Sequence, residues 1–237
     1  MRSVEGRWGT VWYYGKDEYV GRSLHNYGEY NPDETEKIID LARMGGGLNL
    51  DIGANFGVMA QAIIASGMDC LAFEPQPDVY DVLVKNIPFE KCYNRGLGSV
   101  TGTLQMPKIL RGSKCNYGGQ GIGFKSELGT IDVYVDTLDS FKFDNIGFIK
   151  IDVEGFEEQV LMGGRETILQ CKPIMYIEDD RREKSASLRK YIEGLGYTIE
   201  EHRPSLYREM NFFRKPINVW APYNYVSHNL ICKPIKC

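Results

Sequence analysis

Leu50-Asp51-Ile52-Gly53-Ala54-Asn55-Phe56-Gly57 runs from an apolar strand into a glycine-rich turn, and its neighbours on both sides repeat that unit. Leu48 to Ile52 reads as a short buried strand, followed after the turn by a helix from about Val58 to Ser66 that Gly67 closes. Downstream, Asp69 to Phe73 is a second strand, Pro77 to Ile87 a helix with Val79, Val82, Leu83 and Ile87 on one face, and Lys91 to Leu97 a third strand. Ile146 to Val153 and Pro173 to Glu178 are strands bracketing a helix from Glu154 to Met162. A last helix marked by Leu188, Tyr191, Ile192 and Leu195 ends at Gly196 before a strand at Tyr197 to Glu200. Strands alternating with helices through short joins predict an α/β fold with a parallel sheet covered on both faces.

Upstream, Asn31-Pro32-Asp33-Glu34 has the marks of a helix start, with Pro at the first position and acids in the first turn. Ile38, Ile39, Leu41 and Ala42 supply its apolar face, and Gly45-Gly46-Gly47 ends it. The first thirty residues are aromatic and weakly periodic, as short strands or a cap would be. Thr101 to Tyr134 interrupts the alternation and reads as an inserted hairpin or loop over the carboxyl edge of the sheet. With no linker composition in view, one domain over 1–237 is expected: a cap or lid region at 1–45, a core at 48–200, and a tail with the last strand at 201–237.

The chain is 43% hydrophobic and 25% charged, with 28 Lys and Arg against 32 Asp and Glu for a formal net charge of −4. This is the composition of a folded domain, and its weak field disfavours non-specific nucleic-acid binding. The six cysteines, Cys70, Cys92, Cys115, Cys171, Cys232 and Cys237, form no Cys-x-x-Cys pair and fit a reducing, cytoplasmic setting. No apolar run approaches the roughly 18 residues of a membrane span. Met1-Arg2-Ser3-Val4-Glu5 also lacks the apolar region of a secretory signal.

Ligands of open parallel sheets bind beyond the carboxyl ends of the strands. The turn from Asp51 to Gly57 falls there: Gly53 permits close approach of backbone to ligand, and Gly57 lets the helix start near the sheet. Glu74 ends the next strand about 20 positions on, the spacing at which an acid accepts hydrogen bonds from ribose hydroxyls. The glycine triplet of a dinucleotide site is missing, and so is a phosphate-binding Gly-x-x-x-x-Gly-Lys-Ser/Thr loop. A ribose without phosphate points to S-adenosylmethionine, its amino-acid end meeting Asp51 and the turn amides.

These residues resemble a known family. Leu50 to Gly57, Ala72-Phe73-Glu74-Pro75, Val135-Asp136-Thr137-Leu138-Asp139, Ile149-Lys150-Ile151-Asp152-Val153-Glu154-Gly155-Phe156-Glu157 and Ile177-Glu178 resemble, in order, the motifs of the FkbM methyltransferases. The resemblance implies a Rossmann-like, doubly wound, mostly parallel seven-stranded sheet, and O-methylation of sugar or natural-product hydroxyls. It suggests too that Tyr27-Gly28-Glu29 folds over the cofactor. The cofactor-binding candidates are Asp51, Gly53, Ala54, Asn55, Phe56, Glu74, Pro75, Leu97 and Glu29.

For catalysis the candidates are Asp152, Lys150 and Glu178; Asp152, a carboxylate at the end of an otherwise apolar strand, reads as general base or substrate-orienting acid. Lys150 shares its face of the strand and is expected to pair with Asp152 or Glu178. Crowding of Asp152, Glu154 and Glu178 should raise one carboxyl's pKa. No metal is expected, although such acids are also a possible Mg²⁺ set. Glu157, Glu158 and Asp180 read as helix-start or solvated charges, and His25, His202 and His228 as lone structural histidines. Asn116-Tyr117-Gly118-Gly119 is either a ligand-facing segment or a plain turn. The expected substrate is a small molecule or glycan, with a homodimer possible through the aromatic N-terminus. Base methylation of nucleic acid lacks its usual Asn/Asp-Pro-Pro-Tyr/Phe motif here, and a silent cofactor-binding scaffold would not need Asp51, Glu74 and Asp152.

Overall fold

The chain is described by a computed structural model covering residues 1–223 and 226–235; Cys237 lies outside them. It begins with a hairpin, β1 (Arg2–Gly6) and β2 (Gly9–Tyr13), and a short helix α1 (Val20–Tyr27). Helix α2 (Pro32–Gly45) then leads into the alternating unit β3 (Leu48–Ile52), α3 (Val58–Ala65), β4 (Cys70–Phe73), α4 (Pro77–Asn86) and β5 (Cys92–Tyr93). The insertion holds β6 (Gly96–Leu97), β7 (Gly102–Pro107) and β8 (Thr130–Asp136). The second half runs β9 (Ile146–Ile151), α5 (Glu157–Gly163), α6 (Arg165–Cys171), β10 (Ile174–Glu178), α7 (Arg182–Gly194), β11 (Tyr197–His202) and β12 (Asn229–Pro234).

Seven strands form the main sheet in the order β11-β12-β10-β9-β3-β4-β5. β12, from the tail, is antiparallel to β10 and β11, while β10, β9, β3, β4 and β5 run parallel. The strand order reverses between β3 and β9, which opens a crevice at their carboxyl ends. Alternation along each strand sends one set of side chains to each helical layer. Ile149 and Ile151 join Leu50, Ile52, Val160, Ile168 and Leu188 on the α5–α7 side. Phe148 packs with Ile38, Leu41, Met59 and Ile63 on the α2–α3 side. Lys150, of the same parity as Phe148, must therefore point into the α2–α3 layer. Its register neighbour on β3 is Asp51.

Three sequence expectations change here. The third strand does not run unbroken from Lys91 to Leu97. Arg95 N–H closes a turn onto Tyr93 O at 2.9 Å, after which β6 leaves the main sheet to pair in parallel with β8. With the antiparallel β7–β8 pair this makes a separate three-stranded sheet, so the insertion carries a small sheet beyond the expected hairpin. The helix expected from Glu154 begins only at Glu157, because Glu154 (φ 57°) and Gly155 (φ 91°) take left-handed backbone. Gly45-Gly46-Gly47 does more than end α2: a Cβ built on Gly147 of β9 would stand 1.2 Å from Gly46 O, so helix end and strand meet backbone to backbone.

Candidate active site

The crevice is a cavity of about 270 Å³ whose wall comes from the carboxyl ends of β3, β4, β9 and β10, roofed by the insertion and by α1 and α2. Gly53, Ala54, Asn55, Glu74, Pro75 and Leu97 line it, the first five following β3 and β4, while Lys150, Asp152 and Glu178 line it from β9 and β10, toward the other end of the sheet edge. Gly53 has φ 78°, and a Cβ on it would lie 1.8 Å from Asp152 O. The turn thus sits directly on the loop after β9, and only glycine fits.

Glu74 is buried, with Oε2 accepting from Asn55 N–H at 2.9 Å and Oε1 from Gln76 N–H at 2.8 Å. Burial pushes its carboxyl up to about 7, against the pull of those two amides. The bonds fix the carboxylate at the cavity wall and leave lone pairs for hydroxyls of a ligand. Nearby, the side-chain oxygens of Asn55 and Gln76 are buried without a hydrogen-bond partner.

At the other end, Lys150 Nζ stands 3.2 Å from Asp51 Oδ1 and 3.3 Å from Asp152 Oδ2, raising its ammonium above the ordinary lysine value despite burial. The cross-strand register explains the first pair and the shared strand face the second. The expected partner Glu178 is not in either contact. Glu178 Oε2 is buried without a hydrogen-bond partner, and desolvation with the charge of Asp152 and Glu154 raises its carboxyl well above the usual range. Desolvation and Asp152 likewise bring Glu154 up to about 7, against an ion pair with Arg181. The crowding expected from sequence therefore falls on Glu154 and Glu178. Donor oxygens of Asp152, Glu154 and Glu178 lie within 4.8 Å of one another, a spacing that could hold a hard divalent cation.

Three residues expected at the cofactor lie outside the cavity wall. Asp51 is fully buried behind it, with Oδ2 accepting Ala60 N–H of α3 at 3.1 Å and Oδ1 facing Lys150. It fixes Lys150 and the start of α3, where an anion is favoured. Phe56 is buried in an aromatic cluster, edge-on to Tyr14 at 5.8 Å. Glu29 uses both oxygens elsewhere: Arg7 approaches Oε2 at 3.1 Å, and Phe212 N–H donates to Oε1 at 2.8 Å. It ties the N-terminal hairpin to the tail; its neighbour Tyr30 reaches the cavity instead.

Other wall residues escaped the sequence reading. Glu34, read as a helix-start acid, is only 6% exposed, takes a hydrogen bond from Asn31 Nδ2 and faces the cavity. Burial and the nearby Asp152 raise its carboxyl to about 8. A signal existed: Glu34 lies one helical repeat before Ile38 and Leu41, on the apolar face. Gln76, Arg95, Arg181 and the tail's Ser227 also line the wall and carry no motif. Glu157 is buried and holds the β9–α5 loop through Val153 and Gly155 amides at 3.2 and 2.9 Å. Among the described residues no histidine lines the cavity.

Fold and cavity together define a Rossmann-like protein with a binding crevice at the switch point of its sheet. More particularly, the chain belongs to the FkbM methyltransferase family: the pattern of the Methyltransferase FkbM domain matches residues 51–214. Among solved structures it is similar to the methyltransferase FkbM of Methylobacillus flagellatus KT, at 19% identity and TM-score 0.52 over 79% of this chain and 44% of that one. The chain thus spans less than half of that protein's length. It is also similar to precorrin 8w decarboxylase of Methanobacterium thermoautotrophicum, at 12% identity and TM-score 0.50, covering 86% of this chain and 90% of that one. No protein of curated function matches it.

Proposed function

We propose that this methyltransferase uses S-adenosylmethionine and methylates a hydroxyl of a sugar, glycan or similar polyol, with Asp152 as the general base. The observation that carries this is one cavity with Glu74 fixed at one end and Asp152 at the other. The residues present suit the cofactor. Glu74 offers carboxylate lone pairs to ribose hydroxyls, and the glycine turn lets a ligand lie against backbone. The unpartnered oxygens of Asn55 and Gln76 can accept from a polar ligand. S-adenosylmethionine, when bound, supplies an electrophilic methyl group. Asp152 then accepts the hydroxyl proton, Lys150 holds its carboxylate in place, and Glu178 orients the acceptor. The same carboxylates can bind sugar hydroxyls directly, so no metal is invoked.

The excess of acids over cations at the Asp152 end disfavours polyanionic acceptors such as nucleic acid. The five described cysteines are free, which suits a reducing compartment such as the cytoplasm, and no helix among the described residues is long and apolar enough to cross a membrane. A second copy of the chain is a candidate partner, to be read from its mass in solution. Calorimetry with S-adenosylmethionine tests the cofactor, and absence of binding at millimolar ligand overturns it. Release of S-adenosylhomocysteine against panels of glycosides and of RNA tests the acceptor; turnover on RNA alone would replace the polyol reading.

A further inference from the structure

Asp17 precedes α1, 4% exposed, and no motif singled it out. Its Oδ1 accepts N–H of Gly21 at 2.8 Å and of Tyr19 at 3.1 Å, at the start of α1. Its Oδ2 accepts Tyr117 N–H at 3.0 Å, a hundred residues away in the insertion. The backbone reinforces the junction, with an isolated parallel bridge between Asp17 and Cys115 and Glu18 N–H on Cys115 O at 3.2 Å. Each side of this junction supplies cavity wall: Tyr19 and Val20 from one, Asn116, Gly118, Gly119 and Gln120 from the other.

Tyr117 is the anchor of the second side. It is 1% exposed and stacks on Tyr14 with ring centres 4.6 Å apart, and its hydroxyl accepts Gly112 N–H at 3.0 Å. The following residues are pressed onto the glycine turn, since a Cβ on Gly118 would lie 2.3 Å from Asn55 Nδ2. The roof therefore touches the residue whose own amide holds Glu74.

We propose that Asp17 is a positioning residue for the cofactor: its carboxylate clamps the 116–120 roof and the Tyr19–Val20 wall together over the Asn55–Glu74 end of the cavity. This rests on the S-adenosylmethionine reading of that end. Backbone amides, with no ion pair to Asp17 among the described residues, hold the buried charge. Burial raises its carboxyl above the ordinary value and the amides act against that. Removing the carboxylate leaves three amides without their acceptor, while the Tyr14–Tyr117 stack and the Glu18–Cys115 bond remain to keep the fold of this edge.

The test is S-adenosylhomocysteine affinity by calorimetry for wild type, Asp17→Ala and Asp17→Asn, with amide hydrogen exchange of the ligand-free proteins. Loss of charge-assisted hydrogen bonds predicts a Kd about tenfold or more higher for Asp17→Ala. It also predicts faster exchange confined to 17–21 and 115–120. Asp17→Asn keeps one acceptor oxygen and should recover part of the affinity, a rescue that a general loss of stability would not give. Wild-type affinity and protection in folded Asp17→Ala overturn the proposal; if that variant does not fold, the same result in Asp17→Asn does. If wild type binds no S-adenosylhomocysteine, the cofactor reading fails by itself. The exchange data then decide the clamp alone: unchanged protection at 115–120 refutes it, and localised loss supports it.

Discussion

The two ends of the cavity hold negative charge by opposite means. At the glycine end Glu74 is gripped by the amides of Asn55 and Gln76, donors built into the turn and the start of α4. At the far end, among the described residues, Glu34, Asp152, Glu154 and Glu178 share the two cations Lys150 and Arg181, and Lys150 is also engaged by Asp51. Backbone donors hold an acid in one place, which suits a binding role. Crowded carboxylates with few cations compete for protons, which suits proton transfer. The contrast assigns recognition to one end and chemistry to the other.

The sharpest way to break that division is Asp152→Asn. It should lower turnover by about 10² to 10⁴, the range for loss of a general base, while calorimetry shows S-adenosylmethionine affinity nearly unchanged. A wild-type rate would remove Asp152 from the role of base. Next is Lys150→Met, which leaves the buried Asp51 without its cation. Removing one partner of a buried pair costs about 3–5 kcal/mol, so the thermal midpoint should fall by roughly 10 °C in a chain of this size. A midpoint within a degree or two of wild type would mean that the pair does not organise the far end.

The third prediction concerns pH. Folded Glu34 keeps its proton up to about pH 8, against 4.5 for an ordinary glutamate, and Glu74 up to about 7. Between those values the unfolded chain binds fewer protons than the folded one, so stability falls as pH rises through the window. Each fully coupled group contributes up to about 1.4 kcal/mol per pH unit. Melting scans from pH 5 to 8.5 should show the decline, and Glu34→Gln should flatten it; an unaltered slope in that variant would exonerate Glu34. The smallest expected effect is that of a chelator on turnover, which should be nil. Loss of activity restored by Mg²⁺ would turn the Asp152, Glu154 and Glu178 triangle into a metal site.

Much of the cavity was legible because its signals are local. A strand ending in Asp-x-Gly, a second strand ending in Glu74 and a third ending in Lys-Ile-Asp are contiguous patterns. In a parallel sheet, contiguous strand ends converge automatically at one edge. What misled was residue type read without layer. Asp51 and Phe56 sit within the motif, yet Asp51 is taken up by Ala60 N–H and Lys150, and Phe56 by the aromatic cluster around Tyr14, both behind the cavity wall. Glu34 looked like a helix-start acid, although its place on the apolar face already implied burial.

By itself, then, the sequence determined the alternating α/β sheet, the glycine turn and the strand-end acids Glu74 and Asp152, because each depends on neighbours a few residues away. Only the tertiary structure decided that Lys150 also serves Asp51, that Glu34 joins them across the α2–α3 layer, and that β12 lies antiparallel between β10 and β11. It also decided that Asp17 reaches Tyr117. Those contacts join residues distant in the chain whose own stretches of sequence carry no periodicity that singles out a partner, so their pairing exists only once the layers have packed.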